Sequence, residues 1–204
     1  GLPVTEPVGS MIVDIGGGTT EVAVLSLQGT VISESVRVAG DELSDSITSY
    51  LKKVHNLVVG ERTAEEIKIR IGSAFPDDEF DQTSMDVRGL HLLSGLPRTI
   101  NVRAGDIREA MIEPLNVIVE AVKRTLERTP PELAADIVDR GIMLAGGGAL
   151  VRGISDLVSN ETGILTHVAE DPLLCVVNGC GRVLEDFKRL GRVLDASEFS
   201  RLAN

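Results

Sequence analysis

Two runs of three glycines, at residues 16–18 and 146–148, each follow a short segment rich in apolar and β-branched residues. Such segments are typical of buried strands, and glycines directly after them predict tight turns. The first run leads into a second strand-like segment at residues 21–27, and a hairpin signal at residues 28–29 precedes a third at residues 30–38. Because a parallel return needs a longer connection, we expect these three strands to form an antiparallel meander.

Helical periodicity begins after the meander and alternates with strands toward the C-terminus. Apolar residues at helical spacing behind Gly40 and Asp41 predict an amphipathic helix, and a longer helix is predicted to end near Arg128 with a kink at Pro114. The second glycine run is predicted to open a helix at residues 149–160, followed by a last strand and a last helix. This order predicts an α/β fold with a mixed five-stranded sheet flanked by helices.

The segment at residues 58–104 departs from this pattern and is interpreted as a small inserted α+β subdomain. Thr63 and Glu66 have the spacing of a capping box, which predicts that a short helix opens there and runs toward Ser73. The rest is expected to hold short strand-like pieces that glycine and proline interrupt. These interruptions are predicted at Gly89, Gly95 and Pro97.

The insertion gives the chain a simple predicted organisation. Residues 1–57 and 105–190 form one layered core, and residues 58–104 form the subdomain inserted near its middle. Residues 191–204 are predicted to be a C-terminal tail. The sequence shows no internal repeat and no low-complexity segment.

Composition excludes several classes of function. The 204 residues carry 20 Lys and Arg against 31 Asp and Glu, a formal net charge of −11, so nucleic acid is not expected as a partner. No apolar run approaches the roughly 20 residues of a membrane-spanning helix, and no signal peptide is evident, so a cytoplasmic protein is expected. The three histidines are scattered, which argues against zinc. Cys175 and Cys180 are predicted to be reduced packing residues.

The first candidate site is the turn that follows Asp14. Its glycines lack a Cβ, so their backbone N–H groups are able to lie against a phosphate, and Thr19 and Thr20 add hydroxyl donors. Asp14 is predicted to hold the water shell of a magnesium ion. The alternative is a glycine-rich hairpin in which Asp14 accepts turn hydrogen bonds. A Walker loop and a dinucleotide fingerprint are excluded, because the first needs GxxxxGK[ST] and the second needs a helix after the glycines.

The second candidate site is the turn at residues 146–148. The helix predicted directly after it would offer free N–H groups to an anion or to the polar edge of a nucleoside. Alone this signal is weak, since such turns often carry glycine for close packing. Two glycine turns after two strands of one sheet are expected to open on the same edge, where ligands of α/β sheets bind.

The third candidate is a charged segment of the inserted subdomain, Glu65-Glu66-Ile67-Lys68. Its residues alone predict a solvated helix face on which Glu65 pairs with Lys68 at i, i+3. Nothing in their composition or spacing points to a ligand.

The two glycine segments also carry a resemblance to a known superfamily. DIGGGTTEVAVLSL resembles the second phosphate motif of actins, 70-kDa heat-shock chaperones and sugar kinases, and LAGGGALVRG resembles their adenosine motif. Together with SVRVAGDEL, TAEEIKIRIGSA and LERTPPELAADI, these segments resemble the MreB family of bacterial actin homologues, which are rod-shape-determining cytoskeletal ATPases. The resemblance runs to about residue 185. It implies an actin-like (ribonuclease H-like) ATPase fold, with this chain as the second large domain, subdomain IIA as the core and IIB as the insertion.

The resemblance implies ATP or ADP with Mg²⁺ as the cofactor. Asp14 would hold the metal through water, and the first glycine turn with Thr19 would hold the β- and γ-phosphates. The segment from Glu65 to Lys68 would border the adenosine, and the second glycine turn would complete its adenine and ribose side. The predicted cofactor-binding residues are Asp14, Gly16, Gly17, Gly18, Thr19, Glu65, Glu66, Ile67, Lys68, Ala145, Gly146, Gly147 and Gly148.

The family's other phosphate loop and its hydrolytic glutamate have no counterpart before Asp14. Because phosphoryl transfer needs both sides of the cleft, we expect no catalytic residue in this chain and no useful hydrolysis by the chain alone. The implied partners are further copies of the protein in filaments, its first large domain, and membrane-bound cell-shape and wall-synthesis proteins. Membrane contact of the filaments is expected only through the first domain.

Two other functions stay open at this point. An enzyme of the same superfamily, such as a sugar or acetate kinase, would transfer phosphate to a small acceptor. A non-catalytic interaction module would keep a nucleotide site that is vestigial in the chain alone. No segment resembles a kinase's substrate loops, so the filament-forming cytoskeletal protein is the leading prediction.

Overall fold

The computed structural model describes residues 2, 3, 5–27 and 29–187. Its strands are β1 (Ser10–Ile15), β2 (Thr20–Ser26), β3 (Gly29–Val36), β4 (Leu57–Val58), β5 (Ser84–His91), β6 (Leu96–Arg103), β7 (Ile142–Ala145) and β8 (Thr166–Val168). Its helices are α1 (Gly40–His55), α2 (Glu61–Ile71), α3 (Ala104–Glu127), α4 (Pro131–Arg140), α5 (Ile154–Thr162) and α6 (Cys175–Glu185). Gln28 of the predicted hairpin and the predicted tail lie outside the described residues.

The main sheet has five strands in the order β3-β2-β1-β7-β8. β1 and β2 pair antiparallel, as do β2 and β3, whereas β1 pairs parallel with β7 and β7 with β8. The meander and the mixed five-stranded sheet are therefore confirmed. Met11, Val13 and Ile15 of the central strand β1 are buried, because strands lie on both sides of it and helices cover it.

Helices α1 and α3 supply much of the apolar core beside the sheet. Leu43, Ile47 and Leu51 of α1 are fully buried at helical spacing. The same spacing predicts Val54 on this face, but Val54 is 57% exposed. α3 continues through Pro114, which is buried inside it. No helix among the described residues is both long and apolar enough to cross a bilayer.

A second sheet, in the order β4-β5-β6, lies within the segment predicted as an insertion except for Leu57, which precedes its predicted start by one residue. The prediction that Gly89 and Pro97 interrupt its strands is wrong. Pro97 pairs with Leu90 on the edge strand β6, where a missing N–H costs no ladder bond. A Cβ at Gly89 would lie 2.5 Å from the carbonyl oxygen of Val58. The neighbouring strand β4 therefore lies so close to this position of β5 that only glycine fits.

Two predicted helix starts are also wrong. α2 begins at Glu61 behind Gly60, and the amide of Thr63 donates to the Gly60 carbonyl at 3.0 Å, so Thr63 is no N-cap. The second glycine turn opens a short 3-10 turn (Gly147–Leu150), and α5 starts only at Ile154. Helical spacing of apolar residues does not distinguish a 3-10 turn followed by a bend from a continuous helix.

Helix α6 has a long exposed apolar side. None of its residues is buried by the described part of the chain, and Val176 and Val177 are 59% and 60% exposed. Both cysteines are free, as predicted, but Cys180 is exposed, so its interpretation as a packing residue is wrong.

Candidate functional site

The first glycine turn links β1 to β2 at the carboxyl end of β1. The amide of Gly16 donates to the carbonyl of Thr19 at 2.9 Å, which closes the turn, and the Thr20 hydroxyl donates to the Val38 carbonyl at 2.7 Å. Gly17, Gly18 and Thr19 are exposed between these anchors. The turn is therefore fixed at both ends and open at its tip.

The N-terminus of α1 lies against this turn. The amide of Gly40 donates to the Gly16 carbonyl at 3.1 Å, and the amide of Asp41 donates to the Gly17 carbonyl at 2.8 Å. The helix start is closed from the other side, because the Glu42 carboxylate accepts a hydrogen bond from the Ala39 amide at 2.9 Å. The positive end of the α1 dipole thus faces the first glycine turn. Sequence reasoning expected a helix N-terminus at the second turn instead.

The second glycine turn lies beside the first. β1 and β7 run parallel with Asp14 opposite Ala145, so both turns leave the sheet at the same edge, as predicted. Gly146 has a φ of +81°, and its amide donates to the Pro172 carbonyl at 2.9 Å. A Cβ at this position would collide with the Ile15 carbonyl oxygen and with a carboxylate oxygen of Asp14. The second turn is packed directly onto the end of β1.

Asp14 sits at the edge where the two turns meet. It is half-buried and opposite Glu21 on β2. Loss of hydration raises the pKa of the Asp14 carboxyl above its usual value, and the negative charge of Glu21 raises it further. A nearby cation would oppose both effects and lower this pKa, because positive charge favours the ionised carboxylate.

Lys68 of α2 connects the inserted segment to the start of α1. Its side chain is only 9% exposed, and its ammonium donates to the Gly40 carbonyl at 2.7 Å and to the Ser44 hydroxyl at 3.1 Å. Glu65 completes the cluster, with its carboxylate 2.6 Å from the Lys68 ammonium and 3.0 Å from the Ser44 hydroxyl. Burial raises the pKa of Glu65, but the hydrogen bonds from Lys68 and Ser44 outweigh it and leave this pKa lowered.

These elements surround one cleft with a volume of about 1280 Å³. The start of α1 and the first glycine turn form one side, α2 forms a second, and the second glycine turn forms a third. The Arg152 guanidinium lies 4.3 Å from the centre of the Phe80 ring and 2.9 Å from a carboxylate oxygen of Asp77. This cation–π contact ties the second turn to the loop after α2.

The predicted site residues divide into those that line the cleft and those that do not. The lining residues among them are Gly16, Gly17, Glu65, Lys68, Gly147 and Gly148. Asp14, Gly18, Thr19 and Gly146 belong to the same turns but not to the lining. Glu66 points to solvent and pairs with Arg70 at 3.1 Å. Ile67 and Ala145 are buried, so their side chains serve the core.

Sequence reasoning missed several residues of the cleft. The lining also includes Asp41, Ser44, Arg62, Phe80, Leu150 and Arg152. Asp41 and Ser44 carry a usable signal, since they lie among the first five residues of a helix that directly follows the meander. Phe80 and Arg152 carry none, because they are 72 positions apart in a stretch without a shared motif.

Comparison with known proteins places this geometry in a family. The sequence matches the family model described as MreB/Mbl protein over residues 1–192. The cell shape-determining protein MreB of Escherichia coli K12 is 53% identical over 185 residues, which are 91% of this chain and 53% of that protein. The cell shape-determining protein Mbl of Bacillus subtilis 168 is 46% identical over 190 residues, 93% of this chain and 56% of that protein. The chain thus spans about half the length of these relatives.

Solved structures agree with the sequence match. MreB5 of Spiroplasma citri bound to AMPPNP superposes with a TM-score of 0.87 at 36% identity, covering 92% of this chain and 56% of that one. The MamK double helical filament, at a TM-score of 0.69, 22% identity and coverage of 87% and 54%, shares the fold. With a five-stranded mixed sheet, two glycine turns at one edge and these relatives, the chain belongs to the MreB/Mbl family of actin-like proteins.

Proposed function

We propose that this chain forms one wall of an ATP or ADP site in a cell-shape cytoskeletal protein. The observation that carries the proposal concerns Gly17 and Gly18. A Cβ built on either residue would meet nothing closer than 3.5 Å, and neither residue has a positive φ, so the fold does not require glycine there. A ligand whose oxyanions lie against the bare backbone does require it.

The phosphates are assigned to the first glycine turn. Gly17, Gly18 and Thr19 offer backbone and hydroxyl donors, Gly16 closes the base of the turn, and the α1 N-terminus adds the positive end of its dipole. Solved MreB5 structures bound to AMPPNP and to ADP support a nucleotide as the ligand.

Asp14 fits a magnesium ion that is held through water. Its carboxylate lies at the edge where both glycine turns leave the sheet, so it would hold the ion through one of the ion's water ligands. When bound, the ion would neutralise charge on the phosphate oxygens. Asp14 itself would orient the ion's water shell, and its raised pKa would fall as it did so.

The nucleoside is assigned to the far side of the cleft. Glu65 and Lys68 line it from α2, and Gly147 and Gly148 line it from the second turn. Glu66, Ile67, Ala145 and Gly146 would contribute through their backbone or by fixing these neighbours.

The rest of the proposed function depends on parts beyond this chain. We propose that residues 1–57 and 105–190 act as subdomain IIA and residues 58–104 as IIB, facing a first large domain. That domain would supply the other phosphate loop and the hydrolytic glutamate. The complete protein would then polymerise with ATP into membrane-associated filaments on the cytoplasmic side, where membrane-bound cell-shape and wall-synthesis proteins would bind it.

Calorimetric titration of Mg-ATP into the full-length protein tests the nucleotide site, with the 204-residue chain as the comparison. We expect micromolar affinity for the full-length protein and millimolar affinity for the chain, because the chain has one phosphate turn where the family uses two. Tight binding by the chain, or none by the full-length protein, would contradict the proposal. Sedimentation of filaments with ATP tests assembly, and phosphate transfer to a small acceptor would favour the kinase.

A further inference from the structure

The Lys68 ammonium has no free donor left for a ligand. An ammonium carries three N–H groups, and here the Gly40 carbonyl, the Ser44 hydroxyl and the Glu65 carboxylate accept them at 2.7, 3.1 and 2.6 Å. The side chain is only 9% exposed, so these three partners, and not water, stabilise its positive charge. A contact with a sugar hydroxyl would have to replace one of them.

The Gly40 carbonyl belongs to the peptide unit that holds the first glycine turn. This planar unit joins the Gly40 carbonyl to the Asp41 amide, and that amide donates to the Gly17 carbonyl at 2.8 Å. Lys68 therefore binds one end of a peptide group whose other end binds the turn. Hydrogen bonds in such a chain polarise one another, so a charged donor at one end strengthens the bond at the other.

Close packing adds a steric reason for the same coupling. A Cβ on Gly40 would lie 3.2 Å from the Gly16 carbonyl oxygen and 3.4 Å from the Lys68 ammonium. Helix α1, the first turn and the α2 lysine therefore meet around one residue at which a Cβ would fit only if its neighbours shifted.

We propose that Lys68 is a positioning residue for the phosphate turn. Through the Gly40–Asp41 peptide group it sets where the Gly17 backbone lies, and it couples the inserted segment to the phosphate side of the cleft. This departs from the nucleoside contact that the family resemblance implies for Lys68. This inference depends on the proposed function in one respect: that the ligand of the first glycine turn is a chain of phosphates.

Hydrogen exchange on the nucleotide-free full-length protein tests the coupling without any ligand. In the Lys68→Met variant we expect the amides of residues 40 and 41 to exchange at least tenfold faster, while amides of the central strand stay as in the wild type. Lys53→Met is the matched control, because Lys53 is an exposed lysine in the last turn of α1. Unchanged protection at residues 40 and 41 in Lys68→Met would overturn the inference, whatever the protein binds.

A nucleotide series separates positioning from direct contact. Affinities for AMP, ADP and ATP are compared in the wild type and in Lys68→Met. We expect the variant to lose at least tenfold for ADP and ATP but less than threefold for AMP, because AMP lacks the phosphates assigned to the turn. An equal loss for all three, with protection unchanged, would make Lys68 a nucleoside ligand. If the wild type binds no nucleotide, the proposed function fails and the exchange experiment still decides the inference.

Ser44→Ala keeps the test usable if Lys68→Met does not fold. It removes one of the three acceptors without removing the charge. We expect a smaller acceleration at residues 40 and 41, about threefold, and a retained thermal transition. No acceleration in a folded Ser44→Ala variant would count against the proposed chain of hydrogen bonds.

Discussion

Both glycine turns contain three consecutive glycines but use glycine for different physical reasons. In the second turn, Gly146 has a positive φ and Gly148 lies so close to Ile15 that a Cβ would collide with its side chain. In the first turn, Gly17 and Gly18 are exposed and have room for a Cβ. The fold therefore needs glycine at residues 146 and 148 of the second turn, whereas it does not need glycine at the tip of the first turn.

The turns also differ in the element that comes next along the chain. The first leads into a strand, yet the N-terminus of α1, from a later part of the chain, lies against it. The second leads into a single 3-10 turn and offers no long helix N-terminus. A glycine run after a strand thus predicts a tight bend, but its neighbours in space decide whether the bend binds an anion.

The largest effect is expected for Gly146→Ala, which tests the packing role of the second turn. Gly146 has a φ of 81° and a ψ of 168°, a region that essentially only glycine adopts, so strain of about 1–3 kcal/mol and overpacking of about 1–3 kcal/mol should together lower the free energy of unfolding by roughly 3 kcal/mol or more. Gly163→Ala is the comparison, because Gly163 has a φ of +72° and a ψ of 8°, the milder left-handed helical region, with no atom within 4 Å, and should lose only about 1–2 kcal/mol. Urea denaturation measures both, and equal losses would refute the packing argument.

Gly17→Ala tests the binding role of the first turn. We expect the free energy of unfolding to change by no more than about 0.5 kcal/mol, because the site has room for the methyl group. Nucleotide affinity of the full-length protein should fall at least tenfold, since the Cβ keeps the phosphate away from the backbone. Gly29→Ala, at the start of β3 with its nearest atom at 3.7 Å, should leave affinity unchanged. If Gly17→Ala binds nucleotide as tightly as the wild type, the first turn does not need glycine for binding, and the proposed difference between the two turns is wrong.

Asp14→Asn tests how the charge of Asp14, at the sheet edge where the two turns meet, affects the stability of the protein at different pH values. The folded state raises the pKa of Asp14 above the usual 3.8, so it binds the proton more tightly than the unfolded chain does. Wild-type stability should therefore fall as pH rises from 3.8 through the folded pKa. At pH 7 the free protein should be slightly stabilised by Asp14→Asn, and this advantage should shrink toward pH 3.8. In Asp14→Asn, the magnesium-dependent affinity for ATP should fall about tenfold. If Asp14→Asn is less stable than the wild type at pH 7, the argument from the raised pKa is wrong.

The smallest effect is expected for Gly147→Ala, which sharpens the comparison within the second turn. Gly147 is exposed, and a Cβ there would meet only the end of the Leu173 side chain at 3.3 Å. Stability should change by less than about 1 kcal/mol, because a leucine terminus moves easily. Nucleotide affinity should fall about threefold if the nucleoside lies against this turn. A destabilisation as large as that of Gly146→Ala would show that the whole turn serves packing.

Local sequence was sufficient for the parts of the fold in which neighbours along the chain interact. The bounds of β1, the antiparallel meander and the buried face of α1 follow from short connections and apolar periodicity. The mixed sheet follows as well, because alternating strands and helices leave few other ways to bury their apolar sides. The start of α2 was misjudged, since backbone N–H groups behind Gly60 needed no side-chain cap.

The sequence by itself determined that two glycine bends leave one sheet edge, because parallel neighbouring strands end on the same side. Only the tertiary structure decided which glycines the fold requires, since that depends on the distance from Gly148 to Ile15 and from Gly17 to Asp41. It alone also decided that the Lys68 ammonium binds the Gly40 carbonyl rather than solvent. A charge at i, i+3 from a carboxylate looks the same in sequence whether it is hydrated or buried, and only packing removes the water.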